Sequence, residues 1–155
     1  MYNKKIIQMK KIFFLVLLAG FMFTSCEKDA DLRDEYVGEW SADVTGTVVM
    51  TMEDEPMGEF PMNIEDKMNI SKVTTTDDEL NIDGLICKLK GKELIFEDET
   101  SNSTVNGTQT QMTIKRTGTA EKNKIVINET YEGTWSMMMM MSGNISGTTV
   151  ITLTK

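Results

Sequence analysis

The sequence contains no histidine. That absence removes the commonest general base near neutral pH, the histidine-based catalytic triads and most zinc and haem sites. Cysteine is almost as scarce, with Cys26 and Cys87 alone in 155 residues, and there are two prolines, Pro56 and Pro61. Basic residues are outnumbered, 16 Lys and Arg against 24 Asp and Glu, for a net charge of −8. A surface this acidic repels phosphate backbones, which argues against nucleic-acid partners. There is no G-x-S-x-G motif and no glycine loop of the phosphate-cradling kind. Carboxylates are plentiful, but most fall in loops or on the outward parity of extended segments, where a solvated face is the simpler reading. No catalytic residue, metal or cofactor is therefore assigned, and the chain is not expected to be an enzyme.

Long apolar runs are also few. The one that stands out, Ile12–Phe23, follows Lys10 and Lys11 and reads as the apolar part of a secretion signal. About a dozen residues is short of the roughly 20 needed to span a bilayer as a helix. The run ends in FTSC, which resembles the lipobox of bacterial lipoproteins: Thr24 and Ser25, then Cys26, with Phe23 in place of the usual aliphatic residue. The resemblance implies cleavage after residue 25 and acylation of Cys26, an anchor worth about 0.8 kcal/mol per buried CH₂. Residues 26–35 form a short acidic tether, EKDADLRDEY when read on to Tyr36. They resemble the surface-export signal of Bacteroidetes lipoproteins, which implies an outer-membrane protein displayed at the cell surface rather than on the periplasmic face. The four lysines of the leader depart with it, so the mature chain of 130 residues carries −12. That length suits one domain, residues 36–155. Cys87 is left without a disulfide partner and is read as a small buried apolar residue.

The mature chain is rich in Thr, Val, Ile and Met, and its periodicity is two. From Trp40 the even positions read Trp40, Ala42, Val44, Gly46, Val48, Met50, Met52; the odd ones are mostly polar. A second long strand carries Met62, Ile64, Met68 and Ile70 on one face, interrupted by Asp66. The stretch EDEPMGEF between the two strands reads as a loop. Shorter strands are predicted over 79–82, 85–90 and 93–97, separated by Asp83-Gly84 and Lys90-Gly91-Lys92 as hairpin turns. Residues 98–108 read as a loop. Long strands follow over 109–120, 125–139 and 145–154. That makes eight antiparallel strands with a one-sided apolar face. Such a ribbon encloses its face and loses its edges by closing into an up-and-down β-barrel; the alternation fits a two-sheet sandwich as well.

Two segments echo each other. YVGEWS at 36–41 matches YEGTWS at 131–136, and TGTVVMTM at 45–52 matches SGTTVITL at 146–153. Both readings stay open: duplication, or two strands under the same constraint. Gly38-Glu39-Trp40 resembles the G-x-W motif that opens the first strand of lipocalins, and DLRDEY resembles the helical turn that plugs one barrel end there. The mature chain as a whole is similar to calycin-like (lipocalin-like) β-barrel lipoproteins of Bacteroidetes. The resemblance also implies a late basic residue over Trp40, for which Arg116 and Lys155 are candidates.

On this reading the barrel interior is the site. Its wall is Trp40, Met50, Met52, Met62, Met68, Met112, Trp135 and Met137, with three charged groups of inward parity, Asp66, Arg116 and Glu129. Buried charges cost several kcal/mol unless paired, so Arg116 is expected to meet a carboxylate. The run Met137–Met141 is expected to continue the strand of Trp135, with Met137, Met139 and Met141 inward and Met138 and Met140 outward. Thioethers suit Cu(I), but without His or Cys nearby in sequence a flexible apolar wall fits better. The functional expectation is a membrane-anchored protein binding a small hydrophobic or amphipathic ligand. The alternative is an envelope protein-interaction or inhibitor module whose barrel is filled.

Overall fold

The computed structural model describes residues 31–53, 55–137 and 141–155. The expected leader 1–25, the expected lipidation site Cys26, the first half of the expected tether and Met138, Met139 and Met140 lie outside the described residues. The body Leu32–Lys155 opens with a single 3-10 turn, Leu32–Glu35. Nine strands follow: β1 Gly38–Met52, β2 Glu55–Lys72, β3 Glu79–Ile82, β4 Leu85–Lys90, β5 Glu93–Phe96, β6 Glu99–Val105, β7 Thr108–Glu121, β8 Lys124–Met137 and β9 Met141–Thr154.

All nine belong to one antiparallel sheet in the order β5-β4-β3-β2-β1-β9-β8-β7-β6, and β5 also pairs with β7. That second pairing turns the sheet into a ring. The first and last strands join from Ser41↔Thr154 to Thr51↔Asn144. The ring is complete at one end only. β3, β4 and β5 are short, and β3 meets β2 at Ile70, Ser71 and Lys72 alone. Beyond them the long strands continue as a curled sheet bounded by β2 on one side and β6 on the other.

The ninth strand corrects the expectation of eight. Residues 98–108, read as a loop, hold β6 and a tight turn. β5 and β6 lie along the same edge of β7, offset by one residue. Ile95 to Glu99 spans four steps where Thr117 to Ile114 spans three. Between the two strands one extra residue is accommodated at Glu97-Asp98, as in a bulge, and no apolar alternation betrays the second of them. A second correction concerns EDEPMGEF, which is mostly strand: β2 starts at Glu55, with its register shifting beside Met50/Thr51. Both prolines sit in this strand, next to the unpaired side where a missing N–H costs no ladder bond.

Turn chemistry sets the hairpins. Asp83-Gly84 (φ 49° and 98°) and Asn106-Gly107 (φ 50° and 80°) have the paired positive φ of the two-residue turn whose twist matches the flanking strands. The core sits in the closed end: Trp40, Ile70, Leu80, Ile82, Cys87, Ile125, Ile127 and Leu153 are almost fully buried. The 3-10 turn is tied on by Arg33, whose Nη1 donates to the carbonyls of Val73, Thr76 and Glu79 at 3.2, 2.6 and 3.3 Å. Trp40 Nε1 donates to Tyr36 O at 2.7 Å. Lys155 lies 5.3 Å from the centre of the Trp40 ring and donates to the carbonyls of Glu35 and Val37 at 3.1 and 3.2 Å. Of the two candidate bases, it is Lys155 that covers this tryptophan.

The internal echo has a geometric counterpart. Segments 45–52 and 146–153 pair with each other about Thr47↔Thr148, so Gly46 and Gly147 take equivalent places on the two strands, opposite Thr149 and Val48. At both, a neighbouring carbonyl occupies the space of a side chain: a Cβ on Gly46 would lie 2.2 Å from Thr148 O, and one on Gly147 2.5 Å from Thr47 O. The backbones approach too closely there for a side chain, and both strands need glycine for the same reason. Gly46→Ala should therefore lower stability by about 1–3 kcal/mol, the usual cost of overpacking. Gly58→Ala, whose Cβ would meet only the Phe60 ring at 3.5 Å, should be close to neutral; urea unfolding followed by tryptophan fluorescence compares the two.

Candidate functional site

Cross-strand register assigns the interior in three zones. The closed end is apolar and buried. At the opposite end the inward side chains are Met50, Met62, Met112 and Met137, all half-buried, and Trp135, which is buried. Between them lies a polar belt on β7, β8 and β9, where Arg116 faces Glu129 and Glu129 faces Thr149.

Size complementarity builds this wall. On β8 the inward series Tyr131, Gly133, Trp135 is large, small, large. Its partners on β9 are Gly147, Ile145 and Gly143, small, large, small. Each aromatic residue is paired with a glycine, and the Trp135 indole crosses Gly143 to donate from Nε1 to Thr51 O on β1 at 3.0 Å. A side chain on Gly143 would occupy that path, its Cβ only 2.7 Å from Nε1. The YEGTWS segment is thus one half of a fitted pair of strands.

In the belt, Arg116 Nε donates to Glu129 Oε1 at 2.6 Å and Nη1 to Glu99 Oε2 at 2.7 Å. Thr149 Oγ1 donates to Glu129 Oε2 at 2.7 Å, Tyr131 Oη donates to the same oxygen, and the two hydroxyls lie 3.0 Å apart. Two hydroxyl protons serve three contacts, and with both directed at Oε2 the Tyr131–Thr149 side carries none. Every buried polar side-chain atom among the described residues has a partner, which makes the burial of this charge affordable. Burial pushes the Glu129 carboxyl up, but hydrogen bonds from Tyr131, Arg116 and Thr149 and the charge of Arg116 outweigh it, leaving its pKa below the usual carboxylate value. Burial likewise opposes the Arg116 charge, and the bonds to Glu129 and Glu99 raise its pKa on balance. Burial, then the Glu129 carboxylate, push the Tyr131 phenol up to about 12.

At the side of the ring, where β4 and β5 end and β6 departs, opens a cleft of about 680 Å³. Leu85, Cys87 and Phe96 give it apolar lining, Glu97, Asp98 and Glu99 form its acidic rim, and Arg116 also lines it. Cys87 is buried, and desolvation raises its thiol to about 12, so it is a lining group and not a nucleophile at neutral pH.

The expected site residues separate accordingly. Arg116 and Glu129 are joined. Asp66 has the inward parity of its partner Ala42 but is exposed, because the far side of β2 is unpaired there; its Oδ1 accepts from the Lys67 amide at 2.7 Å. Trp40 belongs to the closed end, and Met68 packs on that core. Met50, Met52, Met62, Met112 and Met137 are half-buried. The methionine run does not continue one strand. Met137 ends β8 and pairs with Met141, the start of β9, and Met141 is exposed. Sequence reading missed Thr149, Tyr131 and Glu99 as members of the belt. The first two share the inward parity of Glu129, but linking them needs the β8–β9 register; Glu99 was hidden in the supposed loop.

No protein-family profile matches the chain, and neither a curated protein nor a solved structure is significantly similar to it.

Removing Arg116 leaves Glu129 buried and uncompensated, so Arg116→Met should cost about 3–5 kcal/mol. A carboxyl with a lowered folded pKa stabilises above its unfolded value, and that contribution disappears as pH falls through the folded one. The urea midpoint should therefore fall on acidification below the ordinary carboxylate range, and Glu129→Gln should flatten this dependence. Cys87 should resist iodoacetamide at pH 8 in the folded chain and react in urea, as read by mass spectrometry of the peptide that contains it.

Proposed function

We propose that the protein is a bacterial lipoprotein, anchored to the outer membrane through acylated Cys26 and displayed at the cell surface, whose calycin-like β-barrel binds a small amphipathic ligand. The observation that carries this reading is the cleft of about 680 Å³, with Leu85, Cys87 and Phe96 on its wall and Arg116, the cation of the belt, among its lining. Its volume falls in the range typical of small-molecule sites, about 300–1,000 Å³. Apolar walls with a few fixed polar groups suit a ligand with an oily body and a polar head. The half-buried methionines beyond the belt are a separate apolar surface that adapts to varied shapes.

Three features support the calycin-like reading: pairing of the first strand with the last, the 3-10 turn tied down at the closed end, and Lys155 over Trp40. The second reading, an interaction module of the envelope, is favoured by the buried apolar closed end and by the strand sides of the open half that are unpaired among the described residues.

Native mass spectrometry of the full chain extracted from its membrane tests the first reading. A co-purifying amphiphile is expected. Leu85→Asp, in the cleft wall, should weaken binding of a fluorescent fatty-acid or lysolipid probe about tenfold, or about 1.4 kcal/mol. Bare protein that binds neither probe would leave the interaction module standing.

A further inference from the structure

Among the described residues, two strand sides of the open half are unpaired, and they differ in how they are defended. β2 carries Pro56 and Pro61, which lack an N–H to offer, and the charges Glu65, Asp66 and Lys67. Prolines and charges are the usual guards against edge-to-edge pairing. β6, Glu99–Val105, has no proline and no charge after Glu99, and among the described residues it pairs with β7 alone.

Its hydrogen-bonding groups face out in a known pattern. The turn Asn106-Gly107 has two residues, so the flanking pair Val105↔Thr108 is hydrogen-bonded within the hairpin. Bonded and unbonded pairs alternate along an antiparallel ladder. Val105, Ser103, Ser101 and Glu99 thus spend their backbone groups on β7, while Thr104, Asn102 and Thr100 turn theirs to the open side.

The sequence of this edge reads the same in both directions about Asn102: Thr100-Ser101-Asn102-Ser103-Thr104. We propose that β6 is a homodimer seam, in which a second copy of this chain pairs antiparallel with it about a two-fold axis at Asn102. Asn102 then faces the partner's Asn102, and Thr100 faces the partner's Thr104, giving about six backbone hydrogen bonds between copies. Every side-chain pair is like with like, neutral and able to hydrogen-bond, a favourable cross-strand combination. The arrangement also solves the charge problem of joining two acidic chains. Glu97, Asp98 and Glu99 of one copy run beside Val105, Asn106 and Gly107 of the other, whereas a parallel seam would set acid against acid. The interface is isologous and closed, so it stops at two copies.

Cysteine cross-linking of the full chain in membranes tests the register. Facing Asn102 residues would have Cα atoms about 5.5 Å apart, within disulfide reach. Asn102→Cys should give a dimer on non-reducing gels at several times the wild-type level. Thr100→Cys alone should not, but should cross-link when co-expressed with Thr104→Cys. Asn102→Pro removes an outward N–H without touching the hairpin ladder, so the purified full chain in detergent should sediment as a dimer in the wild type and a monomer in this variant. The seam is overturned if Asn102→Cys dimerises no more than wild type, if Thr100→Cys cross-links to itself as readily, or if the wild type sediments as a monomer.

Discussion

The contact on which the structure depends is the ladder between β1 and β9. Without it the chain is a twisted ribbon with one oily face in water. With it, the even-numbered side chains of β1 and the odd-numbered ones of β9 are committed to the same enclosed side. A slip of one residue would turn every inward group outward, so the register must be specified, and Gly46 and Gly147 specify it. Each accepts a neighbouring carbonyl where any other residue would project a side chain, so this close approach has one register in which to form.

From that ladder the interior chemistry follows in order. β9 fixes β8, which brings Thr149 under Glu129, and β8 fixes β7, which brings Arg116 to the other oxygen of the same carboxylate. The belt divides an interior that is otherwise apolar at both ends. Its anionic centre is held by one cation and two hydroxyls. It is specific in a way that the methionines beyond it are not, since those side chains change shape easily whereas the belt admits one geometry.

Much of this was legible in the residues. The alternation from Trp40 to Met52 gives the inward face of β1, and the turn pairs Asp83-Gly84 and Lys90-Gly91-Lys92 mark the short hairpins. The demand of Arg116 for a carboxylate follows from desolvation alone. What escaped is also physical. β6 is polar on both sides, because neither side is covered, so it carries no periodicity to read. The N-terminal half of β2 has the prolines and acids of a loop because it is an edge. Asp66 shows the limit of parity: alternation tells which side of the sheet a residue faces, but not whether a neighbouring strand covers it.

The pairing Ser41↔Thr154 also has a temporal side. The two partners sit at opposite ends of the described body, and closing so large a loop costs entropy that grows with the logarithm of its length. Contacts of this separation make folding slow. As the chain emerges from its amino-terminal side, β1 and β2 form early as a hairpin, with the other flank of β1 bare. It stays bare until nearly every later residue has appeared. The strand that opens the fold therefore waits longest for its second neighbour. During that wait the molecule is most exposed to capture by another chain, and a holding partner would have most to protect.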